Sequence, residues 1–244
     1  MKKIYLFSEN SRSILLKELD FIREKFEVVP YKGLSAEEAL SADFDYIELG
    51  EGDYSFFKPL LKGINWKMSH AGVADTLKKG SVGYEPLNLN ADSILQVLKN
   101  RNFQLNTANQ AMIIGTYDFV LSVTTKIALS GYSSIIISIS EPERLGELEK
   151  KIKEFIFNLN IKALQLSELT RLQTASGLLI SNLGIKMNKE AFESLTYFNF
   201  LSHDAVFVDF QSHENSILIE EARRAELNVV EELEILTLKY KSLI

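Results

Sequence analysis

A chain of 244 residues with 46% apolar and 25% charged side chains can bury one large core or two modest ones. Its formal charge of −6, with no block of lysine or arginine, argues against a nucleic-acid or anionic-membrane partner. The absence of cysteine excludes disulfides, thiolate nucleophiles and cysteine-ligated zinc or iron–sulfur centres.

Residues 4–7 read as a short strand, 11–26 carry Leu15, Leu16, Leu19 and Ile22 at helical spacing, and 28–31 read as a second strand. The chain therefore opens β-α-β. A short helix over 36–41, a strand over 46–49 and a helix over 54–61 follow. Next comes a helix over 91–100 with Ile94, Leu95 and Leu98 on one side.

From Gln110 the rhythm becomes regular, with a strand at 111–114 and a helix at 119–130. Residues 134–138 form a continuous apolar strand, the kind buried on both faces of a parallel sheet. A helix over 145–158, strands over 163–166 and 178–181, and a helix over 189–195 come next. The chain ends in a strand over 205–209, a helix over 217–225, a strand over 228–230 and a helix over 233–243. This alternation predicts a doubly wound α/β domain preceded by a second α/β unit. The polar stretch 100–109 is the expected boundary.

No apolar stretch approaches a membrane span, and the apolar run after Met1, Lys2 and Lys3 is too short for a secretory signal. A soluble, cytoplasmic protein is the expectation. The basic runs 150–153 and 239–241 read as solvated helix faces. His70, His203 and His213 are too few and too scattered to predict a metal site, and none is expected. Tyr197, Phe198, Phe200, Phe207 and Phe210 read as core packing or a subunit contact.

Several short stretches recur in the order and spacing of one family. They are Ser11-Arg-Ser13 after the first strand, Lys58-Pro-Leu-Leu61, Ala71-Gly-Val-Ala-Asp-Thr-Leu77, Gly83-Tyr84 and Asn90-Ala-Asp92. Further along stand Ile113-Ile-Gly115, Leu183-Gly-Ile-Lys-Met187, Asp204-Ala-Val-Phe207 with Ile217, Leu218 and Ala222, and Glu232-Leu-Glu-Ile-Leu236. Together they resemble shikimate dehydrogenase, the NADP-dependent enzyme of aromatic amino-acid biosynthesis. The resemblance implies an N-terminal α/β substrate-type domain over 1–104 and a Rossmann-like parallel-sheet domain over 105–230. It also implies a C-terminal helix over 231–244 that packs back on the first domain.

By the same resemblance, Ser11 and Ser13 fall on the pair that holds the substrate carboxylate, and Asp92 on the catalytic aspartate. Read locally, the two serines are also ordinary helix N-terminal residues and Asp92 an ordinary first-turn acid. The family's reaction moves a hydride to or from a nicotinamide, while a Lys–Asp pair exchanges the hydroxyl proton. Here the lysine position falls on Asp53, which cannot act as a cationic donor and would repel Asp92 if close. Lys58, Lys62 and Lys67 are the nearby lysines, and no spacing singles one out. Two further substrate ligands, an asparagine and a glutamine, fall on Asp75 and Lys239.

The nucleotide positions depart as well. Gly115, Thr116 and Tyr117 occupy the phosphate turn, which keeps only the first of its glycines. Tyr117 places a large side chain near the phosphates, and Asp118 meets the helix N-terminus with the protein's own carboxylate. Ser140, in Ser138-Ile-Ser-Glu141, stands at the turn where an arginine would grip a 2′-phosphate. An acid there would suit a ribose diol, hence NAD over NADP.

The expectation is a shikimate-dehydrogenase-like protein that has lost catalysis and the family's mode of NADP binding. It would act as a binding, scaffold or regulatory protein with no cofactor. Its partner would be a protein or a small carboxylate ligand, and an oligomer is compatible. The alternative is a divergent oxidoreductase using NADP or NAD on shikimate or a related small hydroxy acid.

Overall fold

The computed structural model describes residues 1–8, 20–61, 72–103, 107–172, 175–183, 195, 198–210 and 217–244. The chain divides into two compact units, Met1–Asp92 with Thr237–Ile244, and Ser93–Leu236.

The first unit is built on a five-stranded sheet: β1 (Lys2–Leu6), β2 (Phe26–Val29), β3 (Tyr46–Glu48), β4 (Thr76–Lys79) and β5 (Tyr84–Leu87). The spatial order is β2-β1-β3-β4-β5. The β1 strand runs parallel to both neighbours, whereas β3–β4 and β4–β5 are antiparallel. The sequence reading holds no hairpin at β4–β5. Pro86 sits in β5, where it is tolerated because β5 is the sheet edge and needs no further ladder partner.

The helices of this unit are α1 (Asp20–Lys25), α2 (Ala36–Ser41) and α3 (Tyr54–Phe57). The α2 helix opens on a reciprocal cap. Ser35 Oγ accepts the Glu38 N–H at 3.2 Å, and the Glu38 carboxylate accepts the Ser35 N–H at 2.8 Å. The α3 helix is shorter than the predicted 54–61, because Pro59 brings no N–H to carry the ladder on. Tyr5, Phe7, Ile47, Leu49, Phe57 and Leu77 belong to one buried cluster. Within it Phe7 meets Phe57 edge-on at 4.5 Å, and Tyr5 stacks on Phe44 at 4.7 Å.

The second unit carries β6 (Gln110–Gly115), β7 (Ser134–Ile139), β8 (Asn160–Ala163), β9 (Ser176–Ser181), β10 (Leu201–Asp209) and β11 (Asn228–Glu231). Every pairing is parallel, in the order β11-β10-β9-β6-β7-β8. This is the doubly wound sheet that the alternating pattern predicts. Strand order reverses at β6, so the crevice outside its carboxyl end is the switch point where such sheets take ligands.

Helices α4 (Leu89–Asn100), α5 (Tyr117–Leu129), α6 (Leu145–Phe155), α7 (Ile217–Arg224) and α8 (Glu232–Lys241) complete the described α-helices, with short 3₁₀ segments at Pro142–Arg144 and Leu166–Arg171. The unit division falls within α4 and within α8. The β8 strand lies ahead of the predicted 163–166. The α6 helix stops at Phe155, Asn158 turns the chain with φ 64°, and Leu166 opens a short 3₁₀ segment instead of extending the strand. The predicted helix over 189–195 lies outside the described residues except for Leu195.

Phe198, Phe200 and Phe207 pack together inside the second core, and Phe210 stacks on Phe119 at 5.4 Å. Among the described residues, no helix is long and apolar enough to cross a membrane.

Candidate functional site

Two polar constellations stand out, one in each unit. In the first unit, β3 ends in Glu48, which lies opposite Thr76 in the antiparallel register. Asp75, just before β4, is held by its own backbone: its N–H donates to Leu87 O, and its C=O accepts from Leu49 N. Its carboxylate faces the start of α4, accepting the N–H groups of Leu89 at 3.1 Å and Asn90 at 2.8 Å. Thr76 Oγ1 donates to it at 2.8 Å. Asp75 thus caps α4 from outside the helix, satisfying N-terminal donors and the positive end of the dipole.

Into this corner α8 inserts Lys239. Its ammonium donates to Glu48 Oε1 at 2.6 Å and Asn90 Oδ1 at 2.9 Å, and stands 3.4 Å from Asp75 Oδ1. The Lys239 side chain is 0% exposed and that of Glu48 5%. The solvated helix face read from the sequence is therefore corrected at Lys239: its charge is buried because two carboxylates and an amide oxygen receive it. Asp75 and Lys239, both singled out in the sequence as substrate-ligand positions, are partners in the structure.

Asp92 is an exposed first-turn residue of α4. Asp53 is buried, its carboxylate accepting from Gly50 N at 2.7 Å. Burial pushes its carboxyl above the usual aspartate range, and the Gly50 and Ser8 hydrogen bonds pull it partly back. Lys58 is exposed, while Ser11, Ser13, Lys62 and Lys67 lie outside the described residues.

A raised folded pKa means that the folded state holds the proton more tightly than the unfolded chain. That contribution to stability is complete below the unfolded value, about 3.9 for aspartate, and is lost as pH rises through the folded one. Asp53→Asn keeps an oxygen for Gly50 N and removes the buried charge. It is expected to stabilise the protein at neutral pH, with the gain fading in acid. Urea midpoints of both proteins across a pH series check this. A variant less stable at neutral pH would show that Gly50 and Ser8 require the charged acceptor.

In the second unit the constellation surrounds the turn from β6 into α5. Gly115 closes the strand, and Thr116 is the extended N-cap residue without a side-chain cap. Asn182, just past β9, reaches across the switch point. Its Oδ1 accepts the Thr116 N–H at 2.9 Å, and its Nδ2 donates to Thr116 Oγ1 at 3.1 Å.

Tyr117 is 4% exposed and points toward the segment after β7. Its hydroxyl donates to Glu147 Oε1 at 2.9 Å, and the Arg144 guanidinium lies over its ring at 3.9 Å. Burial first, then the bond to Glu147, pushes its phenol up to about 12, so it remains a neutral donor at physiological pH. Asp118 is half-buried in the first turn of α5. Ser140 is exposed, donates its backbone N–H to Gly115 O and turns its hydroxyl to Glu141.

Five participants escape the sequence reading. Glu48 is detectable as an acid inside an apolar strand, and Asn182 stands just before a recognised stretch. Asn90 lies within such a stretch, but marks only the opening of a helix. Arg144 and Glu147 carry no local signal. The stretch 138–141 holds no arginine, yet the fold brings one to the same strand end from further along the chain. His203 is exposed, 4.0 Å from Glu226, while His70 and His213 lie outside the described residues. Among the described residues, no three or more His, Cys, Asp or Glu side chains could together hold a metal ion.

The geometry defines a two-unit α/β protein whose second unit is a doubly wound, nucleotide-type sheet. Its fold is that of the shikimate dehydrogenases. One such enzyme, solved with NADP⁺, is 16% identical with a TM-score of 0.74, over 98% of this chain and 87% of that one. The shikimate 5-dehydrogenase of Thermus thermophilus, solved with shikimate, is 14% identical with a TM-score of 0.73, over 98% and 89%. The quinate dehydrogenase of Corynebacterium glutamicum, solved with NAD, is 12% identical with a TM-score of 0.72, over 96% and 88%. No protein-family model matches the sequence, and no curated protein matches it either.

Proposed function

We propose that this chain is a non-catalytic protein on the shikimate dehydrogenase frame, acting by binding as a scaffold or regulator in the cytoplasm. Its partner is a protein or a small carboxylate ligand. The observation that carries the reading is Tyr117. A side chain where the fingerprint needs glycine reaches from the phosphate turn to Glu147 beneath Arg144, filling the approach a pyrophosphate would use. Two facts add support. The family's lysine position holds Asp53, folded back onto Gly50 and Ser8. The polar corner of the first unit is occupied by Lys239, which no incoming ligand can reach while its side chain is 0% exposed.

Calorimetric titration of NADP⁺ and NAD⁺, with and without shikimate, tests this. No heat with either nucleotide at millimolar concentration is the expected result. A second reading, a divergent NAD(P)-dependent oxidoreductase acting on shikimate or a related small hydroxy acid, draws support from Arg144. That guanidinium stands just past β7, where a ribose phosphate would need a cation. Binding of one nucleotide, tightened by shikimate, would overturn the first reading in favour of the second.

A further inference from the structure

We draw no further inference here: the strongest candidate, the tip of the β4–β5 hairpin where Ser81 and Val82 stand exposed behind Lys78 and Lys79, carries nothing, because nothing in the structure shows what covers it.

Discussion

Glu48→Leu is expected to lower the unfolding free energy by about 3 kcal/mol and the thermal midpoint by about 10 °C. Glu48 receives the shortest contact from a lysine that has no exposure at all. Removing it leaves the ammonium with Asp75 at 3.4 Å and the neutral oxygen of Asn90. A buried charge stripped of its main partner cannot recover hydration, so the cost exceeds what the pair contributes when intact. The paired change should behave differently. Glu48→Leu with Lys239→Met removes both charges, and Asp75 keeps its helix N–H donors and Thr76. The double variant is expected to lose about 2 kcal/mol less than the sum of the singles, a coupling that urea midpoints of all four proteins resolve. Additivity would mean that the two side chains act independently despite their contact.

The sequence made the second unit legible and the first only partly so, for physical reasons. Strands β6 and β7 are continuous apolar runs because both faces of a parallel sheet are covered, and one helix of ordinary length, α5, separates them. The hairpin β4–β5 offers no such signal. Its strands are four residues long, Lys78 and Lys79 face solvent, and Pro86 is tolerated only because β5 lies at an edge. The candidate site was readable as a set of departures, one residue at a time. What could not be read was that departures compensate one another. Glu48 and Lys239 meet although 191 residues separate them, and Tyr117 meets Glu147 across 30. Local pattern reports a residue's own element, and both networks join residues of different elements instead. An acid at position 75 looks unfavourable for a carboxylate ligand until the lysine that answers it is known to be buried beside it.

Gly115→Ala is expected to cost about 3–5 kcal/mol, and the reason bears on what a retained fingerprint glycine means. A Cβ at this position would lie 1.8 Å from Asn182 Oδ1, 2.9 Å from Asn182 Cγ and 3.1 Å from Phe119 Cδ1. Asn182 is 5% exposed and cannot rotate away freely, since its amide holds both the N–H and the hydroxyl of Thr116. Displacing it strands the buried Thr116 N–H, a loss of about 1–3 kcal/mol before any strain is added. Phe119 is hemmed in by its stack on Phe210, so the ring gives little room either. Asn182→Ala alone should cost about 1–2 kcal/mol. Combined with Gly115→Ala it should relieve the clash, leaving the double variant more stable than Gly115→Ala by itself. Denaturant midpoints of the three variants decide the matter. If Asn182→Ala gives no relief, the glycine is required by the turn rather than by its neighbour. If it does, Gly115 is explained by packing within the unit, and its presence at the head of a nucleotide-type turn needs no nucleotide to account for it.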